Sequence, residues 1–98
     1  MTVQRDPEGT EAKVLHQFVD FAGKHVLEIG CGEGRLTWKY AKPAHGVVGI
    51  DLEAQDLRVA QIDRPSDLQR KTLFACADSI HLPFSKETFD IALLAWSL

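Results

Sequence analysis

Apolar residues along this chain fall into two kinds of grouping. Short, nearly continuous runs occur at His25-Val26-Leu27-Glu28-Ile29, Gly46-Val47-Val48-Gly49-Ile50, Thr72–Cys76 and Phe89–Ala95, and the second of these ends at Asp51. Runs bounded in this way by glycine, proline or polar residues predict strands covered on both faces. Between them the apolar positions are spaced. Leu15, Phe18, Val19 and Ala22 follow the i, i+3, i+4, i+7 rule and predict an amphipathic leading helix ending near Gly23. Asp6 with Pro7 in the first helical position marks its start, with Thr10 a competing cap. Gly34 to Lys42 predicts a second helix. Leu36, Trp38 and Tyr40 also satisfy a period of two there, but the glycines ahead and Pro43 behind favour the helix. Glu53 to Arg64 predicts a third, with Leu57, Ala60 and Ile62 inward and Pro65 as the stop.

Strands alternating with helices of this length need crossover connections, hence a parallel sheet. The expected fold is α/β: an open, doubly wound, mostly parallel sheet in one domain over residues 1–98. A leading helix occupies 1–24 and a β-α-β-α-β-β core occupies 25–98. The last strand is very apolar and no covering helix follows it. The chain therefore reads as the front part of a larger domain, truncated after its fourth strand. The alternative is a short protein whose exposed fourth strand docks on a second copy or a partner chain.

Composition narrows the function classes. With 98 residues, 45% hydrophobic and 26% charged, the chain has room for one small domain. No apolar run approaches the ~18 residues of a membrane span, and Met1–Ala12 lacks the apolar segment of a signal peptide. Eleven basic against 14 acidic residues leave no basic stripe for nucleic acid. Residues 50–98 carry five basic and eight acidic groups, which suits a cationic ligand. Cys31 and Cys76 sit in apolar stretches and read as reduced, buried small hydrophobes of a cytoplasmic protein. Nothing in the pattern calls for a metal.

The segment Glu28-Ile29-Gly30-Cys31-Gly32-Glu33-Gly34 joins a strand to a helix through three alternating glycines. Glycine admits positive φ and lets backbone approach a ligand with no Cβ between them. The helix start behind the turn is expected to offer unpaired N–H groups to a pyrophosphate or a carboxylate. A dinucleotide fingerprint G-x-G-x-x-G would place its third glycine at position 35, where the residue is Arg35. Asp51 ends the next strand, where a carboxylate accepts from ribose hydroxyls.

Val26 to Gly34 resembles motif I of the class I S-adenosylmethionine-dependent methyltransferases, E/D-x-G-x-G-x-G. Gly49-Ile50-Asp51-Leu52 is similar to their next motif. Ala77-Asp78-Ser79-Ile80-His81-Leu82-Pro83-Phe84 and then Phe89-Asp90 are similar to the two after that. The Leu-Pro-Phe and Phe-Asp pairing most resembles the small-molecule branch that includes quinone- and sterol-pathway enzymes. The joint pattern is specific for the cofactor and only weakly so for the acceptor.

The resemblance implies a Rossmann-like sheet of seven strands, of which this chain holds the cofactor half. It implies that Gly30, Cys31, Gly32 and Gly34 line the methionine moiety of S-adenosylmethionine. Glu28 would act on the methionine amino end directly, through water, or by holding the turn. Asp51 would bind the ribose hydroxyls and Leu52 the adenine face. Asp78 would take the adenine amino group, with Ser79 and Ile80 beside the ring. The implied reaction is in-line methyl transfer to a small-molecule acceptor, leaving S-adenosylhomocysteine.

No residue stands out as a catalytic base. His81 lies near the expected pocket, but a loop histidine usually carries no chemistry, and His16, His25 and His45 are weaker still. Trp96 faces either the ligand or a packing partner, while Trp38 and Tyr40 are assigned to helix packing. Two other classes stay open: an NAD(P)- or FAD-binding oxidoreductase fragment, and a non-catalytic interaction module.

Overall fold

A computed structural model describes residues 2–6, 19–78 and 88–95. Five strands form one sheet: β1 (Thr2–Asp6), β2 (His25–Ile29), β3 (Gly46–Asp51), β4 (Thr72–Cys76) and β5 (Ile91–Ala95). Their spatial order is β1-β5-β2-β3-β4, and every neighbouring pair is parallel. Helix α1 (Thr37–Tyr40) connects β2 to β3. Helix α2 (Ala54–Asp63) and a 3-10 turn (Ser66–Leu68) connect β3 to β4. This is the parallel α/β architecture that the alternating pattern predicts.

The period of two sends successive residues of each strand into different clusters. Val26, Val47, Ile91 and Leu93 pack on one face with Phe21, Tyr40, Ala41, Ala44 and Leu68. Leu27, Ile50 and Phe89 pack together in a separate cluster, with Ile29, Val48, Ala75 and Ala77 against them. A third cluster of Cys31, Leu57, Ala60 and Phe74 seats α2 and is bridged to the first by Trp38. Trp38 meets Phe74 edge to face at 5.7 Å. Fully burying one such leucine or isoleucine contributes ~1.5–3 kcal/mol.

Several expectations need correction. Residues 2–6, expected within the leading helical segment, form β1, and Asp6, its expected cap, is the last residue of that strand, paired with Ala95. The β-branched Thr2 and Val3 favour a strand. Val19 to Ala22 are not helical, and the rest of the expected leading helix, Thr10, Leu15 and Phe18 included, lies outside the described residues. The apolar strand near the end of the chain is not an edge. β5 is hydrogen-bonded to β1 on one side and β2 on the other, which explains its near-continuous apolar sequence without a docking partner.

Helix α1 is shorter than expected. Gly34 holds φ +87°, which bars a helical start before it, and the bond from Lys39 N–H to the Leu36 carbonyl is of the tighter three-residue kind. At the other end Pro43 restricts Lys42. In α2, Leu57 and Ala60 are buried, but Ile62 is 74% exposed. Two residues beyond Ala60 is a rotation of roughly 200°, away from the sheet. Both cysteines are free; Cys31 is buried as expected, whereas Cys76, on the edge strand β4, is exposed. No helix among the described residues is long and apolar enough to cross a membrane.

Candidate functional site

The carboxyl ends of β2, β3 and β4, three adjacent strands, bring together most of the residues singled out above. In open parallel sheets this is the end at which ligands bind. The glycine turn leaves β2 with Gly30, Gly32 and Gly34 at φ +80°, +55° and +87°. Two of the glycines have distinct roles. A Cβ on Gly32 would meet nothing within 4 Å, so that position faces open space. A Cβ on Gly34 would lie 2.5 Å from the Trp38 ring, so there the glycine serves packing.

The turn is stitched onto the end of β3. The N–H groups of Gly30 and Cys31 both donate to the Ile50 carbonyl, at 2.8 and 3.1 Å. Gly32 N–H donates to Asp51 Oδ2 at 2.8 Å, and Gly34 N–H to the Cys31 carbonyl at 3.0 Å. Four amides of the turn itself are thus taken up within the chain. The Asp51 carboxylate reaches back across the turn and takes the N–H that a phosphate would use. Its other oxygen, Oδ1, accepts from Glu53 N–H at 2.9 Å, which fixes the carboxylate at the strand end.

Beneath the turn lies a second carboxylate. Glu28 is fully buried, and its Oε1 accepts from Thr37 Oγ1 at 2.7 Å and from the Tyr40 hydroxyl at 2.5 Å. Burial, reinforced by the charge of Glu28, holds the Tyr40 hydroxyl well above its ordinary pKa, so it remains a donor. The Cys31 thiol, on the turn itself, is also pushed up, first by burial and then by Glu28, Asp51 and Asp56. Those carboxylates place negative charge around the Cys31 thiol.

Leu52 and Asp78 complete the described part of the site. Leu52 is 69% exposed just past β3, and Asp78 is half-buried just past β4. Ala77 N–H donates to the Asp51 carbonyl at 3.2 Å, which ties the two strand ends together. Ser79, Ile80, His81 and Trp96 lie outside the described residues. Sequence reasoning missed Thr37, Tyr40 and Asp56. A threonine and a tyrosine three residues apart share a helix face, and buried hydroxyls on it call for an acceptor, which was the available signal.

Comparison with known proteins places this geometry. The model of the methyltransferase domain family matches residues 26–98. The chain belongs to that family. S-adenosylmethionine is the cofactor this membership brings. A demethylmenaquinone methyltransferase of Lactobacillus johnsonii is 33% identical over 81 residues, covering 79% of this chain and 33% of the relative. A ubiquinone biosynthesis O-methyltransferase of Coxiella burnetii is 33% identical over 79 residues, covering 81% of this chain and 33% of the relative. A dimethyladenosine transferase from Plasmodium falciparum superposes with a TM-score of 0.74 at 25% identity, over 86% of this chain and 30% of that one. The chain spans about a third of the length of the curated relatives it matches.

Proposed function

We propose that this chain forms the cofactor-binding half of an S-adenosylmethionine-dependent methyltransferase whose acceptor is a small molecule. The observation that carries the reading is electrostatic. Glu28, Asp51 and Asp56 surround the turn with negative potential, and the four amides of Gly30, Cys31, Gly32 and Gly34 are consumed within the chain. A cation is favoured there, and a pyrophosphate would meet carboxylates beside the turn. S-adenosylmethionine carries a sulfonium and an ammonium against one carboxylate, so the residues present fit it.

In this reading Gly32 gives the methionine moiety its close approach, and Gly30, Cys31 and Gly34 shape the turn around it. Asp51, already oriented by two backbone N–H groups, has lone pairs left for the ribose hydroxyls. Exposed Leu52 offers an apolar surface to adenine, and Asp78, with Ser79 and Ile80 after it, an acceptor to the adenine amino group. The bound cofactor supplies the electrophilic methyl group. The contribution of the chain is to fix the cofactor in orientation and to shield it from water. A small quinone-like acceptor is supported by the names of the two curated relatives.

Calorimetric titration of the purified chain with S-adenosylhomocysteine, with NAD as control, tests the reading. Binding of S-adenosylhomocysteine alone is expected. Binding of NAD, or of neither by a folded chain, would overturn it.

A further inference from the structure

Burying a carboxyl group is costly unless hydrogen bonds offset the lost hydration, and the surroundings of Glu28 supply two of them. Valine and phenylalanine would fill the sites of Thr37 and Tyr40 with nearly the same shape and no polar atom. The chain instead places two hydroxyls on one face of α1, both reaching Glu28 Oε1. Neither hydroxyl group is loosely held. Thr37 and Tyr40 are fully buried, and the Tyr40 ring stacks on Phe21 with centroids 4.6 Å apart and planes 25° apart. Glu28 lies two residues before Gly30, on the same strand face as buried Val26, so its carboxyl group is held at the base of the turn and away from solvent.

We propose that Thr37 and Tyr40 are positioning residues which, through Glu28, keep a fixed negative charge beneath the glycine turn and thereby select ligands that bring a cationic amino-acid end to it. The inference rests on the cofactor reading above and deepens it, since it separates recognition of the amino-acid end from recognition of the nucleoside. Asp51, Leu52 and Asp78 serve the nucleoside from β3 and β4. The α1 hydroxyls touch neither part of the ligand and act through Glu28. Rigid placement matters because a carboxylate free to rotate within the core would spread its field away from the turn.

Two ligands distinguish the roles: S-adenosylhomocysteine, which has the amino-acid end, and 5′-methylthioadenosine, a nucleoside thioether without it. Calorimetry on the full chain is expected to show Thr37→Val and Tyr40→Phe each weakening S-adenosylhomocysteine about tenfold. Both should leave 5′-methylthioadenosine within about twofold. Thr37→Ser, which keeps the hydroxyl, should restore wild-type affinity. Should the apolar variants fail to fold, Glu28→Gln retains an acceptor for both hydroxyls, and the same ligand-selective loss is expected of it. Equal losses for both ligands would show a merely structural role and overturn the proposal, as would no loss for either. A folded wild-type chain that binds neither ligand would instead overturn the cofactor reading on which this one rests.

Discussion

The two ends of this sheet use the same materials for opposite purposes. At the amino ends of the strands, exposed polar groups close loops onto one another. His25 and Asp90 exchange backbone and side-chain bonds: Asp90 N–H reaches the His25 carbonyl at 2.8 Å, and His25 N–H reaches Asp90 Oδ2 at 2.9 Å. Lys71 Nζ donates to the carbonyls of Lys42 and Ala44, at 2.5 and 2.8 Å, gathering the loop after α1. At the carboxyl ends, carboxylates replace cations and three alternating glycines take positive φ, where the amino end has the one such glycine Gly23. A chain selected for stability alone would have little reason to build the second end. The contrast shows that the amino end holds the sheet together, while the carboxyl end departs from local preference in the service of a ligand.

Glycines give the sharpest way to break this comparison. Gly34→Ala combines φ +87° with a Cβ 2.5 Å from the Trp38 ring and is expected to cost about 3 kcal/mol in urea unfolding. Gly46→Ala, at the amino end, places its Cβ 3.7 Å from the Lys71 carbonyl oxygen and should stay within ~0.5 kcal/mol. Equal effects would remove the asymmetry.

Asp51→Ala comes next in size. It takes the acceptor from Gly32 N–H and Glu53 N–H as well as from the ribose, so affinity for S-adenosylhomocysteine should fall by about 2 kcal/mol, or roughly 30-fold, by calorimetry. Lys71→Met is the counterpart at the amino end. Loss of two charge-assisted bonds should lower stability by about 1–2 kcal/mol in urea while affinity for the ligand stays unchanged. A loss of affinity there would contradict the division of labour.

The smallest effect concerns acid. Asp90 is held below its ordinary pKa of 3.8, first by the N–H of His25 and then by its side chain. A carboxylate depressed in the folded state contributes stability above its unfolded pKa, and that contribution is lost as pH falls through the folded value. Asp90→Asn should therefore flatten the fall of thermal midpoint with pH below about 4. Above that range it should not alter the slope.

The elements legible in the sequence were those whose signal is local. The strands at 25–29, 46–51 and 72–76 announce themselves by apolar runs, and α2 by Leu57 and Ala60 between Glu53 and Pro65. The glycine turn and Asp51 are legible for the same reason, since their spacing lies within two adjacent elements. What escaped depends on distant partners. Thr2–Asp6 has one strongly apolar residue and becomes a strand only against Ile91–Ala95, at the far end of the chain. Tyr40 looks like packing until its hydroxyl is seen on Glu28. The paired state of the turn amides could not be read either, because it depends on Ile50 and Asp51 folding back over Gly30 to Gly32.

The most direct test of a ligand-binding carboxyl end is a 15N–1H NMR titration of the chain with S-adenosylhomocysteine. The amides of Gly32, Asp51, Leu52 and Asp78 are expected to shift, while those of His25, His45 and Lys71 stay in place. Shifts centred on the amino end, or none in a folded chain, would contradict the account.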